Sequence, residues 1–118
     1  ALAWAELLDG SVRLDLYQRP ELDIVCYFPL TAGHRLSQVD AASARLLADG
    51  MTPGRQRPLF VSTLKVSAAA LARRHPALTA DADGARIVRS VLMKPESESW
   101  VPELHARAEE LASELAPR

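Results

Sequence analysis

Two rhythms of apolar and polar residues run along this chain, and the places where one gives way to the other mark its elements. Trp4, Leu7 and Leu8 step by three and four, which predicts a helix that Gly10 stops. Val12 to Leu16 alternates every second residue like a half-buried strand, and Gln18-Arg19-Pro20-Glu21 reads as a turn. Asp23-Ile24-Val25-Cys26-Tyr27-Phe28 is apolar on both faces and rich in strand formers, so a central strand is expected there. Ser37 is placed as the N-cap of a helix in which Val39, Ser43, Leu46 and Leu47 share a face, with Gly50 to close it.

A Pro/Gly/Arg-rich loop from Thr52 to Pro58 leads into a strand from Leu59 to Val66, then a short helical turn from Ala68 to Arg74 ended by His75-Pro76. Asp81-Ala82-Asp83-Gly84 turns the chain into the strand IVRSVLM, Ile87 to Met93. Beyond Pro95, Ser99 is positioned to cap a last helix with Val101, Leu104, Ala108, Leu111 and Leu115 on one stripe. The order predicts an α+β domain, a mostly antiparallel sheet of three to four strands with helices packed on one face. Because the central strand is apolar on both sides, the second face also needs a cover, and the chain offers little for it.

Composition narrows the function classes. At 118 residues and 48% hydrophobic, the chain is sized for a single domain with a real core. Its 14 basic and 15 acidic residues are spread along the sequence and leave a formal charge of -1, without the basic patch that nucleic acid or an anionic membrane surface needs. No apolar run is long enough to span a bilayer, and ALAWAELLDG lacks the basic start of a signal peptide. The lone Cys26 excludes an internal disulfide, fits a reducing, cytoplasmic setting and reads as a core residue.

Candidate chemistry is sparse. His34, His75 and His105 fall in a turn, before a proline and at an exposed helix position, without metal-ligand spacing. Asp81 and Asp83 beside Gly84 look like half a calcium loop, but the downstream glutamate is off its required offset, so a solvated turn is expected. Lys65 and Lys94 lack a cofactor motif around them and read as solvated amines. Arg89 stands apart: it shares a strand side with Ile87, Val91 and Met93, so it lies on an exposed strand face, pairs with an internal carboxylate such as Asp23, or faces a cleft and awaits an anionic ligand.

The segments ELDIVCYF, ASARLLADGM, PLFVSTL and RSVLMKPESESWVPELHARAEEL, in that order, resemble the C-terminal small domain of the pyridoxal-phosphate-dependent amino acid decarboxylases of fold type I, group II, which include glutamate, aromatic amino acid and diaminobutyrate decarboxylases. The family's last strand commonly reads Arg-x-x-x-x-Asn-Pro; here Arg89 and Pro95 keep the spacing and Lys94 replaces the asparagine. Thr63-Leu64-Lys65 departs from a Thr-x-Leu-x-Gly run.

The resemblance implies that residues 1–118 form one C-terminal small domain, with residues 1–10 as the end of a helix leading from a large domain of the same chain. It implies a homodimer, a small amino acid substrate and pyridoxal phosphate in the full-length parent, the cofactor ring acting as electron sink when carbon dioxide leaves. It also nominates Arg89 for holding the substrate carboxylate. The cofactor lysine and its neighbours belong to the large domain, so the fragment alone binds no cofactor and catalyses nothing. The competing readings are a stand-alone ferredoxin-like module that binds a small ligand or dimerises, and a purely structural interaction domain.

Overall fold

The structure is a computed structural model that describes residues 2–18, 24–31, 33–52, 54, 61–91 and 100–115. In chain order these form α1 (Leu2–Asp9), β1 (Leu14–Leu16), β2 (Ile24–Pro29), α2 (Leu36–Gly50), β3 (Ser62–Ser67), α3 (Ala68–Arg74), β4 (Gly84–Val91) and α4 (Val101–Glu114). The strands make one four-stranded sheet in the order β1-β2-β4-β3. Every pairing is antiparallel, as expected for the α+β class. Both β2 and β3 run antiparallel to the intervening β4, so β2 and β3 are parallel to each other, and α2 bridges them.

The double-sided apolarity of β2 follows from its place between β1 and β4, with Val25, Cys26, Tyr27 and Phe28 all buried. Val25 and Tyr27 point into a core built with Trp4, Leu8, Leu46, Val88, Val101 and Leu111, which joins α1, α2 and α4 to one face. Cys26 and Phe28 point the other way, into a cluster with Tyr17, Ile87, Val66, Ala85 and Leu71 of α3. The expected shortage of cover on this second face is therefore met at one end of the sheet by α3 and the residues that follow it, together with Leu36 and Val39 from the first turn of α2. Toward the other end, Leu64 is 43% exposed and Arg89 and Ile24 are half-buried.

Helix boundaries depart from the sequence reading in physical detail. The helix assigned to a Ser37 cap begins two residues earlier than that cap implies, at Leu36, with Arg35 in the extended N-cap conformation. Ser37 lies in the first turn, where its backbone N–H and its hydroxyl both donate to the Asp81 carboxylate. An unpaired helix N-terminal N–H is thus satisfied by a carboxylate 44 residues away, and the two donors hold the Asp81 pKa below its usual value. Asp81 is exposed, as expected of a solvated turn residue, and in addition caps α2. Ser99, expected to cap the last helix, lies outside the described residues; α4 starts after Trp100 with Pro102 in its first turn, where the missing N–H costs nothing. β1 is shorter than expected, starting at Leu14 and leaving Val12 81% exposed. Leu7, expected inward, is 38% exposed, and Ala5 takes the inward place between Trp4 and Leu8.

Gly84 opens β4 opposite Ser67, and a Cβ there would fall far inside van der Waals contact with the Val66 carbonyl oxygen. Backbone cannot swing aside as a side-chain tip can. Gly84→Ala should therefore lower unfolding stability by about 1–3 kcal/mol through overpacking, read from urea denaturation. An unchanged midpoint would mean that the β3–β4 end is looser than it stands here.

Candidate functional site

Arg89 sits toward the C-terminal end of β4, directly opposite Cys26 of β2 and Ser62 of β3. Residues in register across a sheet share a face, so Arg89, Cys26 and Ser62 lie together on the side with thinner cover. Ser62 spends its hydroxyl on the Arg89 carbonyl at 3.5 Å rather than on the guanidinium. Among the described residues the Arg89 side chain makes no hydrogen bond or ion pair. Asp23, weighed as its internal partner, lies outside the described residues, as do Met93 and Lys94. Beside it, burial raises the Cys26 thiol pKa and the Arg89 charge only partly opposes this, so Cys26 is a core thiol as expected.

Lys65 pairs with Arg86 across β3 and β4, one residue out of phase with the Ser62–Arg89 pair, and so projects from the opposite face. It is exposed there, near Asp40, whose carboxylate receives a bidentate grip from Arg86 at 2.9 Å on both oxygens. The two candidates therefore do not converge on one site. No group of three or more His, Cys, Asp or Glu suited to a metal occurs among the described residues.

Two histidine clusters escaped the sequence reading. His75 Nε2 donates to the Tyr17 carbonyl at 3.0 Å while Nδ1 faces the Asp15 carboxylate at 3.3 Å. Both ring nitrogens thus meet acceptors, an arrangement that only the doubly protonated imidazolium satisfies. Asp15 accordingly raises the His75 pKa, against burial and the nearby Arg74 charge. The ring meets Phe28 edge-on at 4.9 Å and Tyr17 in a stack at 6.0 Å, so the pair pins α3 to β1. His105, expected exposed, has a side chain only 14% exposed, with Nε2 3.2 Å from Glu109 and Nδ1 buried without a partner among the described residues. Protonation there would strand a buried N–H, and burial lowers its pKa more than Glu109 raises it.

Glu109 also accepts from the Ser11 hydroxyl and lies 3.8 Å from Arg13. The carboxylate stands between serine and histidine, so the imidazole does not reach the hydroxyl, and the Ser11 oxygen also accepts from the N–H groups of Arg13 and Leu14. This cluster is a latch, not a nucleophile.

The two histidines make a pH prediction with a sign on each side. His75 has a raised folded pKa, so its contribution is complete below the unfolded value of about 6.5 and is lost as pH rises through the folded value. His105 has a depressed folded pKa, so its contribution is complete above about 6.5 and is lost as pH falls through its folded value. Stability should peak near pH 6.5 between pH 5 and 8. His75→Leu should flatten the alkaline arm and His105→Leu the acid arm in urea denaturation. A monotonic wild-type profile would contradict both assignments.

Among the described residues no helix is long and apolar enough to cross a membrane. Compared with family models, curated proteins and solved structures, the chain matches none.

Proposed function

We propose that this chain is the small domain of a pyridoxal-phosphate-dependent amino acid decarboxylase and that Arg89 binds the substrate carboxylate. One observation carries the reading: a guanidinium on an inner strand, half-buried, on the less covered sheet face, with no acceptor among the described residues. A half-buried arginine without an internal partner is costly unless a ligand or a docked surface supplies one. The order of sequence segments resembling the decarboxylases supports the same reading.

The described residues do not build a site for the cofactor itself, since Lys65 is exposed on the face away from Arg89. Cofactor contacts are therefore assigned to a large domain, which packs over the Arg89 face in a cytoplasmic homodimer. The part left to Arg89 is alignment. Its planar fork grips both carboxylate oxygens and fixes which bond of the amino acid stands in the reactive direction.

The polypeptide carrying this chain should contain, N-terminal to it, an α/β domain with the cofactor lysine, and should release carbon dioxide from an amino acid once loaded with pyridoxal phosphate. The 118-residue chain alone, mixed with the cofactor and borohydride, should acquire no stoichiometric adduct on Lys65. A polypeptide lacking such a domain, or an adduct on the isolated chain, would overturn the reading. It would favour the stand-alone module instead, for which the split arrangement of parallel β2 and β3 around β4 is a suitable frame.

A further inference from the structure

On the helical side of the sheet, away from Arg89, a cavity of about 470 Å³ opens between the ends of β1 and β2, α2 and α4. Clefts of about 300–1,000 Å³ are the size that takes small organic ligands. Its walls are aliphatic, from Val12, Leu30 and Leu115 with the small side chains of Ala41, Ala42 and Ala112 at its helical wall. The charged residues in its lining are Arg13 and Arg45; no acid lines it among the described residues.

Both guanidiniums have donors to spare. Arg13 lies 3.8 Å from Glu109 and Arg45 3.4 Å from Asp49, distances that bring charge together without making a good hydrogen bond. No other acceptor engages either fork among the described residues. Gln38 also lines the wall, its Oε1 accepting from the Thr31 hydroxyl and from the Arg35 N–H. A trough with aliphatic walls, two under-used arginines and no acid is complementary to one class of ligand.

We propose that this cavity binds a small aliphatic monocarboxylate, its tail along the alanine wall of α2 and α4 and its carboxylate between Arg13 and Arg45. The charge fixes the head and the alanines leave room for the tail. Neither part suffices alone, because an exposed arginine holds a bare carboxylate weakly and an uncharged chain leaves both guanidiniums unmatched. The site does not depend on the role proposed for Arg89, which projects from the other face of the sheet.

The probe is octanoate, titrated below its micellar range into the 15N-labelled 118-residue chain and followed by NMR. Saturable binding is expected, with a Kd of about 1 mM or tighter. The shifts should centre on Leu30, Ala42, Ala112 and the Nε–H signals of Arg13 and Arg45. Octanol and acetate should each bind at least about tenfold more weakly, since each lacks one half of the recognition. The double variant Arg13→Gln, Arg45→Gln should weaken octanoate by about tenfold, and Arg89→Met should leave it unchanged. The idea fails if octanoate does not saturate, if octanol binds equally well, or if the wild-type shifts map elsewhere, a readout that needs no variant to fold. It also fails if sedimentation shows a second copy of the chain in the groove, with octanoate merely dissociating the pair.

Discussion

Arg89→Met is expected to lower kcat/KM of the decarboxylase proposed above by roughly tenfold to a hundredfold, the loss of one or two charge-assisted hydrogen bonds to a carboxylate. Methionine keeps the apolar stem's length and removes the fork. Because the side chain of Arg89 makes no polar contact among the described residues, nothing internal is broken, and the melting temperature should move by no more than about 2 °C. The loss should fall on kcat as well as on KM, since a carboxylate held in the wrong orientation binds without reacting. Arg89→Lys should restore only part of the rate, because an ammonium is a point charge that cannot grip two oxygens in one plane. A sharp fall in melting temperature with unchanged kinetics would make Arg89 a structural residue paired outside the described segments, and the site assignment would be wrong.

The side on which Arg89 projects was legible because alternation along a strand is local. Once Ile87 to Met93 reads as a strand, every second residue is placed on one side of it. What held the helices in position was not legible. Asp81 caps α2 across 44 residues, His75 reaches the Tyr17 carbonyl across 58, and Ser11 meets Glu109 across 98. Each of these contacts joins polar residues that, taken alone, look like turn or surface positions. A helical wheel likewise places His105 beside the α4 stripe without saying what lies opposite. It is half-buried because Ser11 and Arg13, at the entry to β1, close over the same Glu109. The same reasoning explains Leu7: period alone admits it to the inner face, but α1 meets both the sheet and α4, and the rotation that seats Trp4 turns Leu7 outward.

Trp4 supplies the largest stability effect. Although residues 1–10 read in sequence as the end of a connecting helix, Trp4 is only 1% exposed and packs on Tyr27 of β2 at a ring-centroid distance of 5.5 Å. Ala5 and Leu8 join the same core as Val101, Ala108 and Leu111 of α4. Trp4→Ala should lower unfolding stability by about 3–5 kcal/mol, since it removes a large buried ring and leaves a cavity under a helix that cannot collapse far into the sheet. Against the roughly 5–15 kcal/mol that holds a domain together, that is a large fraction, and the urea midpoint should fall steeply with little change in slope. Trp4→Phe separates packing from polarity. The indole Nε1 is buried with no hydrogen-bond partner among the described residues, so phenylalanine relieves an unsatisfied donor while giving up part of the ring, and about 1–2 kcal/mol is the expected cost. Trp100, 59% exposed, gives a steady fluorescence background against which the buried Trp4 signal can be read. If Trp4→Ala stays within about 1 kcal/mol of wild type, α1 is not part of this core, and its apolar face packs against something else.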